Sequence, residues 1–213
     1  MDQKSLVLLS GGLDSAVALY WSLDQGNKVE TITFDYFKRG RREIQACEAI
    51  SRFSNCPNRK IELDFLKEID DSKKETRNPG LTGVESAYIP CRNLIFYGIA
   101  ASFAEVGNMR FIVGGHNRND TENFPDATKN FFSLFNQTAT TGRFTKGRTG
   151  RVILPFAKME KFEVLKLGAK LNVPFELTWS CYKSGKRPCQ KCLSCRLRAD
   201  SFKKANLIDP LIS

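Results

Sequence analysis

The stretch that most restricts what this chain can become is residues 5–15, SLVLLSGGLDS. An apolar run stops abruptly at Ser10-Gly11-Gly12, then continues through Leu13-Asp14-Ser15 into helix-forming residues. Such a run reads as a strand buried on both faces, the pattern of a parallel sheet. Glycines at its end let the backbone take positive φ and approach a ligand closely. The first amides of the helix that follows lack intrahelical partners and carry the positive end of the helix dipole. Ser10 and Ser15 add hydroxyl donors, so Leu9, Ser10, Gly11, Gly12, Leu13, Asp14 and Ser15 form a candidate cradle for the phosphates of ATP. Asp14 has two readings here, as a Mg2+ ligand or as a cap of the helix. The plain alternative for the whole stretch is a tight strand-to-helix turn. It is neither the GxxxxGK[ST] loop nor the GxGxxG fingerprint. Lacking the lysine that reaches a γ-phosphate, it favours chemistry at the α-phosphate, with pyrophosphate leaving.

Strand and helix patterns then alternate: a helix over 14–26, a strand over 28–36, a helix over 41–55 and a strand over 59–65. A helix over 92–107 and a strand over 110–115 follow. The polar stretch 70–85 reads as a mobile loop, the pattern is weak over 116–151, and 155–172 reads as a helix with Pro155 near its start. This order predicts an α/β fold, a parallel sheet covered by helices on both faces in the Rossmann-like manner, with ligands at the carboxyl ends of the strands. The 213 residues fit one such domain over 1–175 and a small C-terminal segment over 176–213 packed on it. No apolar run reaches the roughly 20 residues that cross a bilayer. The N-terminus has no basic n-region and no cleavage site. The expected location is the cytoplasm, with no membrane partner.

Net charge is +10, with basic clusters at 38–42 (KRGRR), at Arg143, Lys146, Arg148 and Arg151, and from Lys183 to Lys204. That balance suits RNA or an anionic small substrate such as ATP. For KRGRR a solvated loop is an equal reading. The seven cysteines are an odd count, which argues against a disulfide framework. Cys181, Cys189, Cys192 and Cys195 fall in a C-x7-C-x2-C-x2-C pattern. Four thiolates close a tetrahedral zinc site with no open position, so such a metal is structural and pins the tail. An iron–sulfur cluster meets the same ligand count. A zinc ribbon for nucleic acid is a third reading, supported by Lys183, Lys186, Arg187, Lys191, Arg196 and Arg198.

The SGGxDS turn resembles the signature of the N-type ATP pyrophosphatases, which adenylate an oxygen and then displace AMP. AYIPCRN (87–93), NFPDATKNFF (123–132), ELTWSCY (176–182) and CQKCLSCRLRADSFKKANLIDP (189–210) extend the likeness. With LSGGLDS and TFDY, and in this order over nearly the whole chain, they resemble the 7-cyano-7-deazaguanine synthase (QueC) family. The resemblance implies an adenine nucleotide alpha hydrolase-like fold. It also implies a ligase that uses ATP, Mg2+ and ammonia to turn 7-carboxy-7-deazaguanine into the nitrile, a precursor of queuosine and archaeosine in tRNA. A structural Zn2+ on Cys181, Cys189, Cys192 and Cys195 and a homodimer are implied as well.

A guanine-like base wants aromatic stacking and an acidic partner for its N–H edge. Tyr88, Phe124 and Asp126 are candidates, with Arg92 for the carboxylate or a phosphate and Asn93 for the ring. The plain alternatives are a helix cap for Arg92 and Asn93, a core ring for Phe124, a turn for Asp126 and a loop for His116. Where bacterial members usually read FDYGQRH, this chain has FDYFKRG. Where they read roughly DYSGYPDCR, it has NDTENFPDAT, a form closer to archaeal members, which points to archaeosine. Other readings are a related ATP pyrophosphatase acting on another carboxylate, a tRNA thiolase or lysidine-type ligase, and a non-catalytic zinc-ribbon protein. The chain leaves no room for a sizeable RNA-binding domain, so direct tRNA binding is not the expectation.

Overall fold

The computed structural model describes residues 3–75, 88–143 and 149–212. Lys146, Arg148 and residues 76–85 of the polar stretch lie outside them.

Five parallel strands run in the order β3-β2-β1-β4-β5. They are β1 (Lys4–Leu8), β2 (Lys28–Asp35), β3 (Asn58–Glu62), β4 (Phe111–Val113) and β5 (Arg151–Ile153). β1 lies in the middle, pairing Leu8 with Ile32 on one side and Val7 with Val113 on the other. The strand order reverses between β1 and β4. A crevice opens at such a switch point, outside the carboxyl ends of the strands.

From Leu6 to Leu8 β1 is apolar because both of its faces are covered. Val7 packs into one core with α1 (Leu13–Asp24), α2 (Arg41–Phe53), α7 (Lys161–Lys170) and α8 (Leu193–Ala205). Leu6 packs into a second with α3 (Leu66–Glu75), α4 (Arg92–Val106) and α6 (Lys129–Thr141). Burying each such side chain is worth about 1.5–3 kcal/mol.

The structure differs from the sequence reading in four places. Residues 70–75 of the stretch read as a loop continue α3, which begins at Leu66. The region of weak pattern holds a short helix, α5 (Arg118–Asn123), a 3-10 turn at Pro125–Ala127, and α6. β5 spans only three residues, too few for a period of two to register. Finally, α7 begins at Lys161 rather than 155, because the Glu160 N–H is bonded by the Glu163 carboxylate at 2.8 Å, which sets the helix start.

The end of the chain is sewn into the sheet domain. Arg198 is fully buried and donates through Nε and Nη2 to both oxygens of Asp209, at 2.7 and 2.9 Å. Its Nη1 reaches Thr178 Oγ1 at 2.9 Å. Phe202 and Ala205 of α8 belong to the same core as Val7.

Candidate active site

The glycine turn occupies the mouth of the crevice and is held from three sides. Gly11 has φ +76°, and a Cβ there would lie 2.4 Å from the Glu43 carbonyl oxygen, so only glycine fits. The Trp179 N–H donates to the Gly11 carbonyl at 2.8 Å. Arg39 donates to the Ser10 carbonyl at 2.6 Å and to the Phe34 carbonyl at 3.0 Å. From the third side, a Cβ on Gly115, just past β4, would come within 2.9 Å of the Asp14 backbone. Ser15 Oγ accepts from the Ser10 N–H at 3.1 Å and from Ser10 Oγ at 3.0 Å. The helix cap is Gly12, which offers no side chain, so Asp14 is not the cap; it stands in the first turn.

Asp14 Oδ2 accepts from Lys161 Nζ at 2.6 Å, while Oδ1 is buried with no hydrogen bond. Burial pulls the Lys161 ammonium down, but the charge and hydrogen bond of Asp14 outweigh it and hold it above its ordinary value. The turn therefore does have a lysine, brought by α7 from 147 residues away.

A cavity of about 290 Å³ joins this turn to the start of α4. Ser10, Gly12 and Asp14 of the turn line it together with Arg92, Asn93, Tyr97, His116 and Asp120. The Asn93 N–H donates to Asp126 Oδ2 at 3.1 Å, and Asn93 Nδ2 to the Asp126 carbonyl at 3.0 Å. Arg92 and Asn93 are not the cap, which is Cys91; Asp126, in the 3-10 turn as the turn reading has it, satisfies an amide at the start of α4. Arg92 donates to Tyr36 OH at 3.2 Å. Burial first, then the charge of Asp126, raises the Tyr88 phenol. Tyr88, Arg92, Asn93 and Asp126 are therefore neighbours. Phe124 is half-buried, closes α5, and its N–H donates to the Asp120 carbonyl at 3.0 Å. Cys91, just before Arg92, is held at φ +54°, a left-handed conformation that costs a non-glycine residue of order 1 kcal/mol.

Sequence reading missed Lys161, Arg39, Tyr97 and Asp120 and left His116 as a loop residue. Burial is the main force on His116 and favours its neutral form; Asp120 opposes it, as do Asp126 and Asp14, while Arg92 adds to it. Asp120 is pushed up by burial and then by Asp14. Glycines at 114 and 115 were the only local signal that a backbone approaches closely here.

The four sulfur atoms of Cys181, Cys189, Cys192 and Cys195 lie within 4.8 Å of one another. Zinc–sulfur bonds of about 2.3 Å put tetrahedral ligands about 3.8 Å apart, so the set fits zinc. Backbone N–H groups of Lys183 and Cys189 donate to Cys181 Sγ at 3.3 Å, and that of Cys192 to Cys189 Sγ at 3.4 Å. N–H groups of Lys191 and Cys192 pull the Cys189 thiol down to about 6, whereas burial and neighbouring thiols push Cys195 up to about 12. Thiols this close do not all ionise without a cation among them.

The basic run 38–42 is tied down at three places. Lys38 pairs with buried Asp70 at 2.7 Å. Arg39 braces the turn, and Arg42 lies over the Trp179 ring at 5.5 Å while bonding the Gly185 carbonyl at 3.1 Å.

A profile of the queuosine biosynthesis protein QueC matches residues 4–206. The 7-cyano-7-deazaguanine synthase of Thermoplasma volcanium is 36% identical over 99% of this chain and 91% of its own length. That of Pseudomonas fluorescens is 35% identical over 99% and 98%. Among solved structures, the NMN synthetase of Francisella tularensis superposes with a TM-score of 0.57 at 16% identity, over 97% of this chain and 78% of its own. That likeness concerns the fold alone. With a match from β1 to the end of α8 and a third of residues shared with curated relatives from archaea and bacteria, this chain belongs to the QueC family.

Proposed function

We propose that the protein is an ATP-dependent carbon–nitrogen ligase that converts 7-carboxy-7-deazaguanine and ammonia into 7-cyano-7-deazaguanine, on the way to archaeosine or queuosine in tRNA. One observation carries this reading. One cavity is lined both by the phosphate-type turn, whose Asp14 is bonded by Lys161, and by Arg92 and Asn93, the latter bonded to Asp126.

The α-phosphate of ATP sits against the open amides of α1 and the hydroxyls of Ser10 and Ser15, with Lys161 balancing the charge of the departing pyrophosphate. Arg92 holds the substrate carboxylate, and Asp126 with Asn93 reads the ring's N–H and acceptor edge, Tyr88 and Phe124 supplying aromatic cover. The carboxylate oxygen attacks the α-phosphorus and pyrophosphate leaves. Ammonia displaces AMP to give the amide, a second ATP activates the amide oxygen, and its loss leaves the nitrile. Orientation within one cavity supplies much of the rate.

Mg2+ arriving with the nucleotide would be held by Asp14, whose buried Oδ1 has no other partner, and would shield phosphate charge. Zn2+ on the four cysteines would be structural: Trp179, two residues before Cys181, bonds the phosphate turn directly. A homodimer and a cytoplasmic location complete the proposal. Among the described residues no helix is long and apolar enough to cross a membrane.

Incubation with ATP, ammonium and the carboxy-deazaguanine tests the reading by mass spectrometry. The nitrile, AMP and pyrophosphate are the expected products; ADP and phosphate, or an unchanged carboxylate, would refute it.

A further inference from the structure

We infer that the cavity wall formed by Tyr97, His116 and Asp120 is the subsite for the nitrogen nucleophile, ammonia, and that His116 is the catalytic base that takes its protons. The inference rests on the ligation proposed above and deepens it.

Three side chains from two helices and one loop meet there, and each has capacity that the fold leaves unused. Tyr97, on α4, is 1% exposed and lines the cavity, yet its hydroxyl has no hydrogen bond. Buried orphan hydroxyls are rare in native proteins and ask for an explanation. This one is not loosely placed. Phe132 holds the ring edge-on at 4.6 Å, and a Cβ on Gly114 would collide with the hydroxyl. The His116 ring is fixed against Tyr97 at 5.9 Å and Phe132 at 5.6 Å. Its nitrogens make no hydrogen bond to any described residue. Asp120 accepts from the Asn117 N–H at 3.1 Å through Oδ2, and its other oxygen is without a bond among the described residues.

The wall is also where the reacting carbon has to be. That carbon is bonded to the deazaguanine ring and, once activated, through oxygen to AMP. Gly115 packs on the Asp14 backbone of the phosphate turn, and Arg92 and Asn93 line the same cavity. His116 follows Gly115 directly, and the charges of Asp120 on α5, Asp126 on the 3-10 turn, Arg92 on α4 and Asp14 on α1 all act on it. Burial favours the neutral imidazole, the form able to accept a proton at neutral pH. A wall of unused acceptors beside that carbon suits a small molecule that brings N–H donors and one lone pair.

Proton balance gives the base its work. Ammonia's lone pair forms the C–N bond, the C–O bond breaks with its electron pair leaving on AMP, and one N–H proton passes to the imidazole. In the second stage two more N–H protons leave. The first goes as the amide oxygen is adenylated, the second as the nitrogen's electron pair closes the C≡N bond and AMP departs. After each transfer the imidazolium returns its proton to solvent.

The test separates the stages in His116→Asn and Tyr97→Phe. Carboxylate-dependent pyrophosphate–ATP exchange needs no nitrogen; single-turnover amide formation is followed against ammonium chloride, and against pH at a fixed concentration of free ammonia. His116→Asn should lower amide formation about 100-fold, lower exchange far less, and remove the acid limb of the pH profile. Tyr97→Phe deletes a hydroxyl with no partner and should fold well, yet raise the KM for ammonium about tenfold. Equal losses in both reactions, an acid limb that survives in His116→Asn, or an unmoved ammonium KM in Tyr97→Phe would each overturn the assignment. Should His116→Asn not fold, the Tyr97→Phe result decides. Absence of exchange in the unsubstituted enzyme is a different failure: it removes the ligation reading itself, and this subsite with it.

Discussion

Replacing Asp14 by alanine should nearly abolish catalysis while barely changing stability. The Asp14–Lys161 pair is 2.6 Å long, with side-chain exposures of 19% and 30%. Removing one partner of a fully buried pair costs about 3–5 kcal/mol, and of a surface pair about 0–1 kcal/mol. An intermediate site costs about 2 kcal/mol. Against this, Asp14 Oδ1 is buried and unbonded, and relieving such an atom returns about 1–3 kcal/mol. The two effects offset to within about 1 kcal/mol, a shift of no more than about 4 °C in thermal midpoint for a chain this size. Catalysis has no such offset. Losing one preorganised charge at the phosphate site should slow carboxylate-dependent pyrophosphate–ATP exchange by about 100- to 1,000-fold. Exchange and thermal melts on the same preparation check both halves. Exchange within threefold of the unsubstituted enzyme refutes the phosphate role; a midpoint lower by more than about 10 °C refutes the offset.

Gly11→Ala forces a Cβ to 2.4 Å from the Glu43 carbonyl at a positive φ; it should cost about 2 kcal/mol or more in denaturant melts and abolish exchange. Cys192→Ser opens the four-sulfur site. Bound zinc, measured by chelator release, should fall from one per chain to none, with the midpoint lower by about 10 °C. Arg198→Met leaves Asp209 buried and unpaired and should cost about 3–5 kcal/mol, while the double variant Arg198→Met/Asp209→Leu should recover much of it. pH-dependent stability should carry a His116 signature. Its folded-state pKa lies below the unfolded value near 6.5, so the unfolded chain binds a proton that the folded one refuses. Stability from this group is complete above that pH and declines as pH falls through it. Asp120, raised by burial, runs the opposite way, its cost easing as pH falls. Melts at pH 7.5 and 5.5 should show a smaller drop for His116→Asn than for the unsubstituted protein.

Local signals carried the parts of this molecule whose physics is local. The β1 run and its glycine bend, the first four strands and the four spaced cysteines could each be read within about ten residues. What escaped depends on contacts across the chain. Lys161 meets Asp14 only because α7 packs on α1, and Trp179 bonds Gly11 only because the tail folds back over α2. Nothing near Tyr97 distinguishes a core tyrosine from one whose hydroxyl faces a cavity. β5 is three residues long, and α8 starts inside a cysteine pattern that draws attention to metal rather than to helix. The basic run 38–42 looked like charge for solvent or nucleic acid, yet three of its side chains brace the fold. Asp126 was legible as a functional candidate and as a turn residue; it stands in the 3-10 turn, and its bond to the Asn93 N–H could not be read locally.

The central claim is that an oxygen of the substrate carboxylate takes the α-phosphorus of ATP at the Ser10–Ser15 turn. Carboxy-deazaguanine labelled with oxygen-18 in both carboxylate oxygens tests it most directly. The AMP isolated after one turnover should carry one heavy oxygen for each C–O bond broken, with none in pyrophosphate. Unlabelled AMP, or heavy oxygen in inorganic phosphate beside ADP, would contradict the account.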